Sequence, residues 1–226
     1  ALMQVPVKFI WTHDAFRVGE DGPTHEPVEQ EAQIRLMEKL KNHSGKDSVR
    51  VFRPADADET TVCWKLAMEN TATPTALILS RQGIAKLPAG NDYEQAAKGA
   101  YIVEGSDENP DVILVASGSE VSTLVSGCEA LRKEGIKVRI VSAPSEGLFR
   151  TQNKEYQEAI LPYGIKKFGM TAGLPVTLEG LVGIGPNSKI FGLSSFGFSA
   201  PYKVLDEKLG YTGENVYKQV KAFLAE

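Results

Sequence analysis

Short apolar runs alternate with longer amphipathic segments along most of the chain. Several runs are rich in β-branched and aromatic residues and predict buried strands, at residues 7–12, 49–53, 75–80, 111–116 and 137–142. Between them, apolar residues recur at the three- and four-residue spacing that is typical of helices. Strands that alternate with helices are joined by right-handed crossovers, so the pattern predicts an α/β fold with mainly parallel sheets.

The first half of the sequence predicts the order strand, loop, helix, strand, helix, strand. We expect the first helix to run from 27 to 42 and to bury the apolar side chains of Val28, Leu36, Met37 and Leu40. Asp56 and Glu59 form a capping box at the start of the next helix, which we expect to end near Asn70 and to bury Cys63.

A turn-rich segment at 84–106 predicts a linker between two domains. After it we expect a helix that is capped by Ser119 and stops at Gly135. Short strands at 166–171 and 189–193 and two final helices, at 202–209 and 214–225, complete the second half.

Composition and charge exclude several classes of protein. The chain has 226 residues, 42% of them hydrophobic and 24% charged, which suits one large or two small globular domains. The net charge of −4 and the lack of a basic cluster argue against general nucleic-acid binding. No apolar run approaches the roughly 20 residues of a membrane span, and no secretory signal is visible. We expect Cys63 and Cys128 to be buried free thiols in a reducing compartment.

The candidate chemistry is concentrated in residues 12–25. This stretch holds two of the three histidines, His13 and His25, together with Asp14, Arg17 and Asp21. It lies between the end of a predicted strand and the start of a predicted helix, where open α/β sheets bind ligands. A polyol- or phosphate-binding site and an ordinary solvated loop both stay open. A metal site is a weaker interpretation, because the histidine spacing matches no familiar ligand set.

One histidine and two arginines follow the carboxyl ends of predicted parallel strands. His13, Arg53 and Arg81 should therefore emerge at one edge of the sheet. Arg81 can hold a phosphate in a planar fork, and a surface ion pair is the alternative. For Arg53, beside Pro54, a structural salt bridge or a carbonyl contact is the commoner role. His43 lies in a polar turn, where we expect it to be solvated.

Two glycine-containing segments in the second half allow more than one interpretation. The Ser117-Gly118-Ser119 turn is similar to a phosphate loop but lacks the full glycine pattern, so we interpret it as a strand-to-helix turn in which glycine permits tight packing. The aromatic residues within 195–201 fit an interface and core packing equally well.

Taken together, the motifs closely resemble the transketolase family. The likeness rests on Thr-His-Asp at 12–14, Gly-Glu-Asp-Gly-Pro-Thr-His at 19–25, Pro-Val-Glu-Gln at 27–30, Phe-Arg-Pro-Ala-Asp at 52–56, Leu-Ser-Arg-Gln at 79–82, Ala-Ser-Gly-Ser-Glu-Val at 116–121 and Ser-Phe-Gly-Phe-Ser-Ala-Pro at 195–201. These motifs extend over essentially the whole chain.

The resemblance implies a cytoplasmic transferase of the pentose phosphate pathway. Such an enzyme uses thiamine diphosphate with Mg2+ (or Ca2+) to move a two-carbon ketol unit from a ketose phosphate to an aldose phosphate, in active sites between the subunits of a homodimer. Residues 1–93 would be the C-terminal part of the pyrimidine-binding domain, and 94–226 the family's C-terminal domain. The expected fold is then two three-layer α/β units with mainly parallel sheets, of which the first is incomplete.

The resemblance also assigns roles to individual residues. His13 would contact the substrate phosphate and Arg81 would be its main cationic clamp. Asp21 would accept a hydrogen bond from a substrate hydroxyl, and His25 would bond the donor's C1 hydroxyl and act as the catalytic residue in proton transfer. These side chains suit the roles, because guanidinium and imidazole groups bind phosphate and imidazole exchanges protons near neutral pH.

The sequence lacks other parts of the family pattern. The Gly-Asp-Gly…Asn motif that holds metal and diphosphate is absent, so we assign no cofactor or metal residue to this chain and expect it to bind neither and to be inactive alone. The residues that bind the cofactor are expected upstream of Ala1. Sugar phosphates remain the expected partners, with no nucleic acid and no membrane.

The start of the chain bears on its status. Ala1, Leu2 and Met3 run directly into the first predicted strand and resemble the end of a helix that is cut short. We therefore expect a fragment of a longer transketolase. A separate subunit of a split enzyme and a non-catalytic α/β binding or regulatory module are the alternatives.

Overall fold

The computed structural model describes residues 1–105 and 108–226. Its first sheet has the strand order β1-β3-β2, and both pairings are parallel. The strands are β1 (Lys8–Trp11), β2 (Arg50–Phe52) and β3 (Thr75–Ile78). We call residues 8–78 the three-stranded unit. Its helices are α1 (Gln30–Met37) and α2 (Ala57–Glu69), with a short 3-10 helix at Phe16–Val18.

The second sheet has the order β4-β6-β5-β7-β8, with β4 antiparallel to β6 and the other pairings parallel. We call the residues from 101 onward the five-stranded unit. Its strands are β4 (Tyr101–Glu104), β5 (Val112–Ala116), β6 (Val138–Ser142), β7 (Lys166–Met170) and β8 (Ser188–Phe191). Its helices are α3 (Glu120–Lys133), α4 (Glu146–Arg150), α5 (Lys154–Ile160), α6 (Val176–Val182), α7 (Tyr202–Leu209) and α8 (Gly213–Ala225).

Helices cover both faces of the five-stranded sheet. Along β5, Leu114 belongs to the cluster formed with α3 and α8, whereas Ile113 and Val115 belong to the cluster formed with α4 and α6. This alternation follows from the two-residue period of a strand, and burial on both faces explains the continuous apolar run. The predicted α/β fold with mainly parallel sheets is confirmed.

The first residues form a turn that leads into β1. The backbone N–H of Gln4 donates to the Ala1 carbonyl at 3.0 Å, and the turn involves Leu2 and Met3. Gln4 has a φ of 54°, the left-handed conformation that often follows the last turn of a helix. The helix end expected at Ala1 stays a prediction.

For the next two elements, the predictions of which side chains are buried are wrong. The strand predicted as buried forms as β1, one of the two outer strands of its sheet, but Phe9 and Trp11 remain 43% and 42% exposed. The first helix covers Gln30–Met37, shorter than predicted, and Leu36, Met37 and Leu40 are exposed. Only Val28, which precedes this helix, is buried as expected.

The inner face of α1 is charged instead of apolar. Its buried side chains are Glu31 and Arg35, whose Oε1 and Nε atoms lie 2.8 Å apart. Glu31 also lies 3.6 Å from the guanidinium of Arg53, through its other oxygen. The helix therefore packs on a buried group of charges, which helical periodicity of apolar residues cannot reveal.

Several local predictions are confirmed. Asp56 caps α2 by accepting a hydrogen bond from the Glu59 backbone N–H at 2.8 Å, and α2 ends at Glu69 with Asn70 as its C-cap. Cys63 and Cys128 are buried free thiols. Ser119 precedes α3 as predicted, but its hydroxyl makes no capping bond and donates to the Glu120 carboxylate at 2.9 Å.

The predicted linker packs against the three-stranded unit. It contains a 3-10 helix at Gly90–Lys98, and the backbone N–H of Leu87 donates to Asp56 Oδ2 at 2.9 Å. Leu87 and Ala96 are buried. Ser106, its last predicted residue, lies outside the described residues, and the domain boundary at 93/94 stays a prediction.

Candidate functional site

A histidine and an arginine follow two neighbouring strands at the carboxyl end of the three-stranded sheet. In the β1–β3 pairing Trp11 lies opposite Ile78, and the Leu79 N–H donates to the Trp11 carbonyl at 2.6 Å. His13 and Arg81 follow directly after this pairing, and both are exposed. The residues beside them are in contact, since the Ser80 hydroxyl lies 3.4 Å from Asp14 Oδ2. Parallel pairing thus brings His13 and Arg81 to the same edge, as predicted.

The third predicted edge residue, Arg53, is buried in an ion cluster. Its Nη2 lies 2.7 Å from Asp14 Oδ2, its Nη1 donates to the Ser117 carbonyl at 2.8 Å, and Nη1 also pairs with Glu120. Arg53 therefore has the structural salt bridge and the carbonyl contact that sequence reasoning favoured. The cluster joins the three-stranded unit, through Asp14 and Arg53, to the five-stranded unit, through Ser117 and Glu120.

Burial and charge act in opposite directions on the two carboxyl groups of the cluster. Burial raises the pKa of Asp14 above its ordinary value in spite of the nearby Arg53 guanidinium. Burial also disfavours ionised Glu120, but Arg53 and Arg17 outweigh it and hold the pKa of Glu120 below its ordinary value. Glu120 is thus a carboxylate shared by two arginines.

Gly118 permits this arrangement. It has a φ of +61°, and a Cβ atom there would lie 2.6 Å from Arg53 Cζ. Only a glycine leaves room for the guanidinium at this turn. The interpretation of residues 117–119 as a tightly packed strand-to-helix turn is confirmed.

The loop after β1 carries the other two predicted site residues, Asp21 and His25. Gly19 and Gly22 adopt φ values of 93° and 73°, which favour glycine, and the Gly22 N–H donates to the Gly19 carbonyl at 3.2 Å. The N–H of His25 donates to the Gly22 carbonyl at 3.0 Å. Asp21 and His25 are both exposed on this turn.

A threonine hydroxyl lies beside each of the two loop histidines. Thr12 Oγ1 is 2.9 Å from His13 Nδ1, and Thr24 Oγ1 is 2.8 Å from His25 Nδ1. Among the described residues, neither Nε2 atom forms a hydrogen bond within the protein. Each ring can therefore offer Nε2 to a ligand. His43 is exposed, in accordance with the prediction that it is solvated.

His13 also lines a cavity of about 300 Å3. Its lining residues include the apolar Trp11, Ile34 and Ile78 and the acidic Asp14 and Glu31. The described walls do not include Asp21, His25 or Arg81. The predicted residues thus lie in two places, His13 and Arg81 at the strand ends and Asp21 and His25 on the glycine turn.

Sequence reasoning missed the buried polar side chains that surround this loop. Arg17 is buried, with Nη1 2.7 Å from Glu120 Oε1 and Nε 2.7 Å from Asp206 Oδ1. Its neighbours Phe16 and Val18 are both buried. Their apolar side chains were the signal in the sequence that this segment turns inward.

Glu26 is the second side chain that was missed. Burial raises its pKa to about 7, although the backbone N–H groups of Phe198 and Gly19 oppose the rise. Within the described part of the chain, neither of its carboxyl oxygens has a hydrogen-bond partner of normal geometry. No pattern in the sequence around Glu26 indicates its burial.

The described residues contain no group of three or more His, Cys, Asp and Glu side chains that could bind a metal ion. The cofactor-binding residues expected upstream of Ala1 fall outside this chain, and their position stays a prediction. None of the helices that the structure describes is both long enough and apolar enough to cross a membrane.

Comparison with known proteins gives the same family over both units. Residues 1–86 match the family described as "Transketolase, pyrimidine binding domain", and residues 99–212 match "Transketolase-like TK C-terminal domain". A transketolase of Halalkalibacterium halodurans is 42% identical over 230 residues, which cover 99% of this chain and 32% of the relative. The chain thus spans about a third of the length of the curated relatives it matches.

Solved structures agree with this match. A Pichia stipitis transketolase in complex with sedoheptulose-7-phosphate has a TM-score of 0.85 and 34% identity, covering 98% of this chain and 30% of that chain. A split gene transketolase, described as an inactive beta4 tetramer, has a TM-score of 0.71 at 24% identity and covers 97% of this chain and 67% of that chain. The latter likeness concerns the fold alone.

Proposed function

The chain belongs to the transketolase family, and we propose that it forms the phosphate-binding half of a transketolase substrate site. The complete enzyme would move a two-carbon ketol unit from a ketose phosphate to an aldose phosphate. The observation that carries the proposal is the placement of His13 and Arg81 at the ends of two paired parallel strands. A phosphate bound at this edge would meet both side chains.

Arg81 and His13 would share the phosphate oxygens. The guanidinium of Arg81 is exposed and offers a planar pair of N–H donors, which fits two oxygens of one phosphate. His13 would add a hydrogen bond through Nε2, because Thr12 occupies the neighbourhood of Nδ1. The apolar cavity beside His13 would receive a non-phosphate part of a ligand.

Asp21 and His25 would bind the sugar itself. The Asp21 carboxylate would accept a hydrogen bond from a substrate hydroxyl and so select its configuration. His25 would bond the donor's C1 hydroxyl through Nε2 and hold or release a proton there, as general acid–base catalysis requires. Its exposed position on the glycine turn leaves the ring accessible to a substrate.

We assign neither the diphosphate nor the metal of thiamine diphosphate to residues of this chain. The described residues contain no cluster of acidic, His or Cys side chains for Mg2+ or Ca2+. We therefore assign no step of the reaction to cofactor-binding groups of this chain. Thiamine diphosphate and its metal would be bound by other parts of the enzyme, upstream of Ala1 or in a separate subunit.

An exposed apolar surface around β1 supports contact with further polypeptide. Phe9 and Trp11 are stacked with ring centroids 5.7 Å apart, and with Ile10 they remain more than two-fifths exposed. Exposed apolar patches of this kind mark protein interfaces. The cofactor-binding part of the enzyme, in the same chain or in a separate subunit, and the second subunit of a homodimer are the proposed occupants. The buried free thiols of Cys63 and Cys128 fit a reducing compartment such as the cytoplasm.

The test uses the complete enzyme that contains these 226 residues. With sedoheptulose 7-phosphate as donor, Arg81→Ala should raise KM about 10- to 100-fold, because a hydrogen bond to a charged group contributes about 1.5–3 kcal/mol. Arg50→Ala, at the amino end of the same sheet, is the matched control and should leave KM unchanged. An Arg81→Ala enzyme with the KM of the Arg50→Ala control would remove Arg81 from the phosphate site. A complete protein that shows no transfer activity would favour the alternative, a non-catalytic α/β binding or regulatory module.

A further inference from the structure

We propose that the five-stranded unit positions the substrate-binding turn, and that Gly197 and Ser199 are the positioning residues that set the place of His25. The proposal depends on the proposed function only for the identity of the ligand that binds at this turn. The positioning itself is a property of the ligand-free protein. It assigns a task to the five-stranded unit, which carries none of the four predicted site residues.

Arg17 fixes one end of the turn. Its guanidinium donates to Asp206 in α7 and to both Glu120 and Ser119 at the start of α3, over 2.7, 2.7 and 2.8 Å. The same group lies 5.7 Å from the ring of Tyr211. All of these partners belong to the five-stranded unit, so the chain immediately before Gly19 cannot move independently of it.

The segment 197–200 supports the turn itself. The Ser199 hydroxyl donates to the Glu20 carbonyl at 2.6 Å. A Cβ atom at Gly22 would lie 3.1 Å from the Ser199 Cβ, and one at Gly19 would lie 3.4 Å from the Ala200 carbonyl oxygen. These approaches are close, and glycine at both positions permits them. Asp21 lies between two residues that touch this segment.

Glu26 fixes the other end of the turn, next to His25. Its carboxyl group fills the space beside Gly197, where an added Cβ would lie 1.6 Å from Glu26 Oε2. Glu26 is buried, and its Cδ and Cβ atoms would lie 2.8 and 3.2 Å from the same added Cβ, so the whole side chain packs against Gly197. His25 therefore lies between a residue held by Ser199, at Gly22, and a residue held by Gly197, at Glu26.

The experiment measures the ring signals of the three histidines by NMR in the ligand-free chain. In Gly197→Ala the new methyl group must displace the Glu26 carboxyl group, so the His25 signal should shift by more than its linewidth. His43, on a distant exposed turn, is the internal reference and should not shift. A second change, Glu26→Ala in the Gly197→Ala background, removes the obstructing carboxyl group and should return His25 towards its original signal.

Ser199→Ala is the second, milder variant, and it decides the question if Gly197→Ala does not fold. It removes the hydroxyl that holds Glu20 and should also shift His25. Its matched control is Ser126→Ala, which removes a serine hydroxyl bonded to the Thr123 carbonyl within α3. The control should leave His25 unchanged, and all variants that are compared should keep the thermal midpoint of the parent within a few degrees.

An unshifted His25 signal in a folded Gly197→Ala or, failing that, in Ser199→Ala would overturn the proposal. So would a shift that Ser126→Ala reproduces. Because these measurements need no ligand, they remain decisive even if the chain binds no sugar phosphate. Titration with sedoheptulose 7-phosphate then adds a separate outcome, in which Gly197→Ala should bind at least several-fold more weakly than the parent.

Discussion

Replacing Arg53 by methionine should strongly destabilise the folded chain. The side chain of Arg53 is 1% exposed and pairs with Asp14 and Glu120, whose side chains are 2% and 0% exposed. Removing one partner of a buried ion pair costs about 3–5 kcal/mol, because the remaining charge is neither hydrated nor paired. Since Arg17 still lies 2.7 Å from Glu120, Asp14 would be the carboxylate left without a cation.

Urea unfolding, monitored by circular dichroism, measures this loss of free energy of unfolding. With an m-value of about 2–3 kcal/mol/M, the midpoint of Arg53→Met should fall by about 1–2 M relative to the parent. Arg50→Met is the matched control, since Arg50 begins the same strand and forms no ion pair with the described residues. A surface change of that kind should alter the free energy of unfolding by less than about 0.5 kcal/mol.

The pH dependence of the loss separates charge from packing. Without Arg53, the pKa of Asp14 in the folded state rises further above its unfolded value, so the loss of stability is largest at pH values above this folded pKa. It should diminish as the pH falls through the folded pKa, where protonation removes the buried charge. The double variant Arg53→Met with Asp14→Asn should recover part of the stability at neutral pH. Two results would refute this account of the cluster. One is a loss of free energy of unfolding in Arg53→Met that equals the loss in Arg50→Met, and the other is a loss that is the same at pH 7.5 and pH 4.5.

Three further predictions concern single side chains. Arg81→Lys in the complete enzyme keeps the charge but loses the planar fork of N–H donors. The KM for a phosphorylated donor should therefore rise by about 3- to 10-fold, which corresponds to the loss of one hydrogen bond of about 0.5–1.5 kcal/mol. A KM equal to that of Arg81→Ala would contradict this prediction. Asp21→Ala should reduce the preference for one configuration of the substrate's C2 hydroxyl. The ratio of kcat/KM for the two epimers should fall by about 10-fold or more. An unaltered ratio would exclude Asp21 from recognition of this hydroxyl. Burial raises the pKa of Glu59 to about 7 from an ordinary value of 4.5, so its ionisation should lower the free energy of unfolding by about 3 kcal/mol between pH 4.5 and pH 7. Glu59→Gln should flatten that decline in urea unfolding at several pH values, and an equal slope in both proteins would show that Glu59 does not cause it.

Secondary structure could be predicted where the apolar face of an element meets the main core. The helix at 202–209 was predicted with the bounds that α7 has, and Leu205 is buried. The same reasoning failed at α1, because the buried side of that helix faces the charged cluster around Arg53. Periodicity reports the distribution of apolar residues but does not report what lies opposite each face.

The candidate site could be predicted in part for a similar reason. Parallel strands place the residues that follow them at one edge, and this general rule located His13 and Arg81. The burial of Arg53, Arg17 and Glu26 depends on residues more than sixty positions away, such as Ser117, Glu120 and Gly197. No local pattern records such distant partners, so the polar support of the turn became visible only in the folded chain.

Binding of a sugar phosphate at the histidines tests the central claim most directly. Sedoheptulose 7-phosphate is titrated into the chain while NMR follows His13, His25 and His43, and unphosphorylated sedoheptulose is titrated in parallel. The account predicts saturating shifts of His13 and His25 with the phosphorylated sugar, much weaker binding without the phosphate or in Arg81→Ala, and no response of His43. Unmoved His13 and His25, or equal responses of all three histidines, would contradict it.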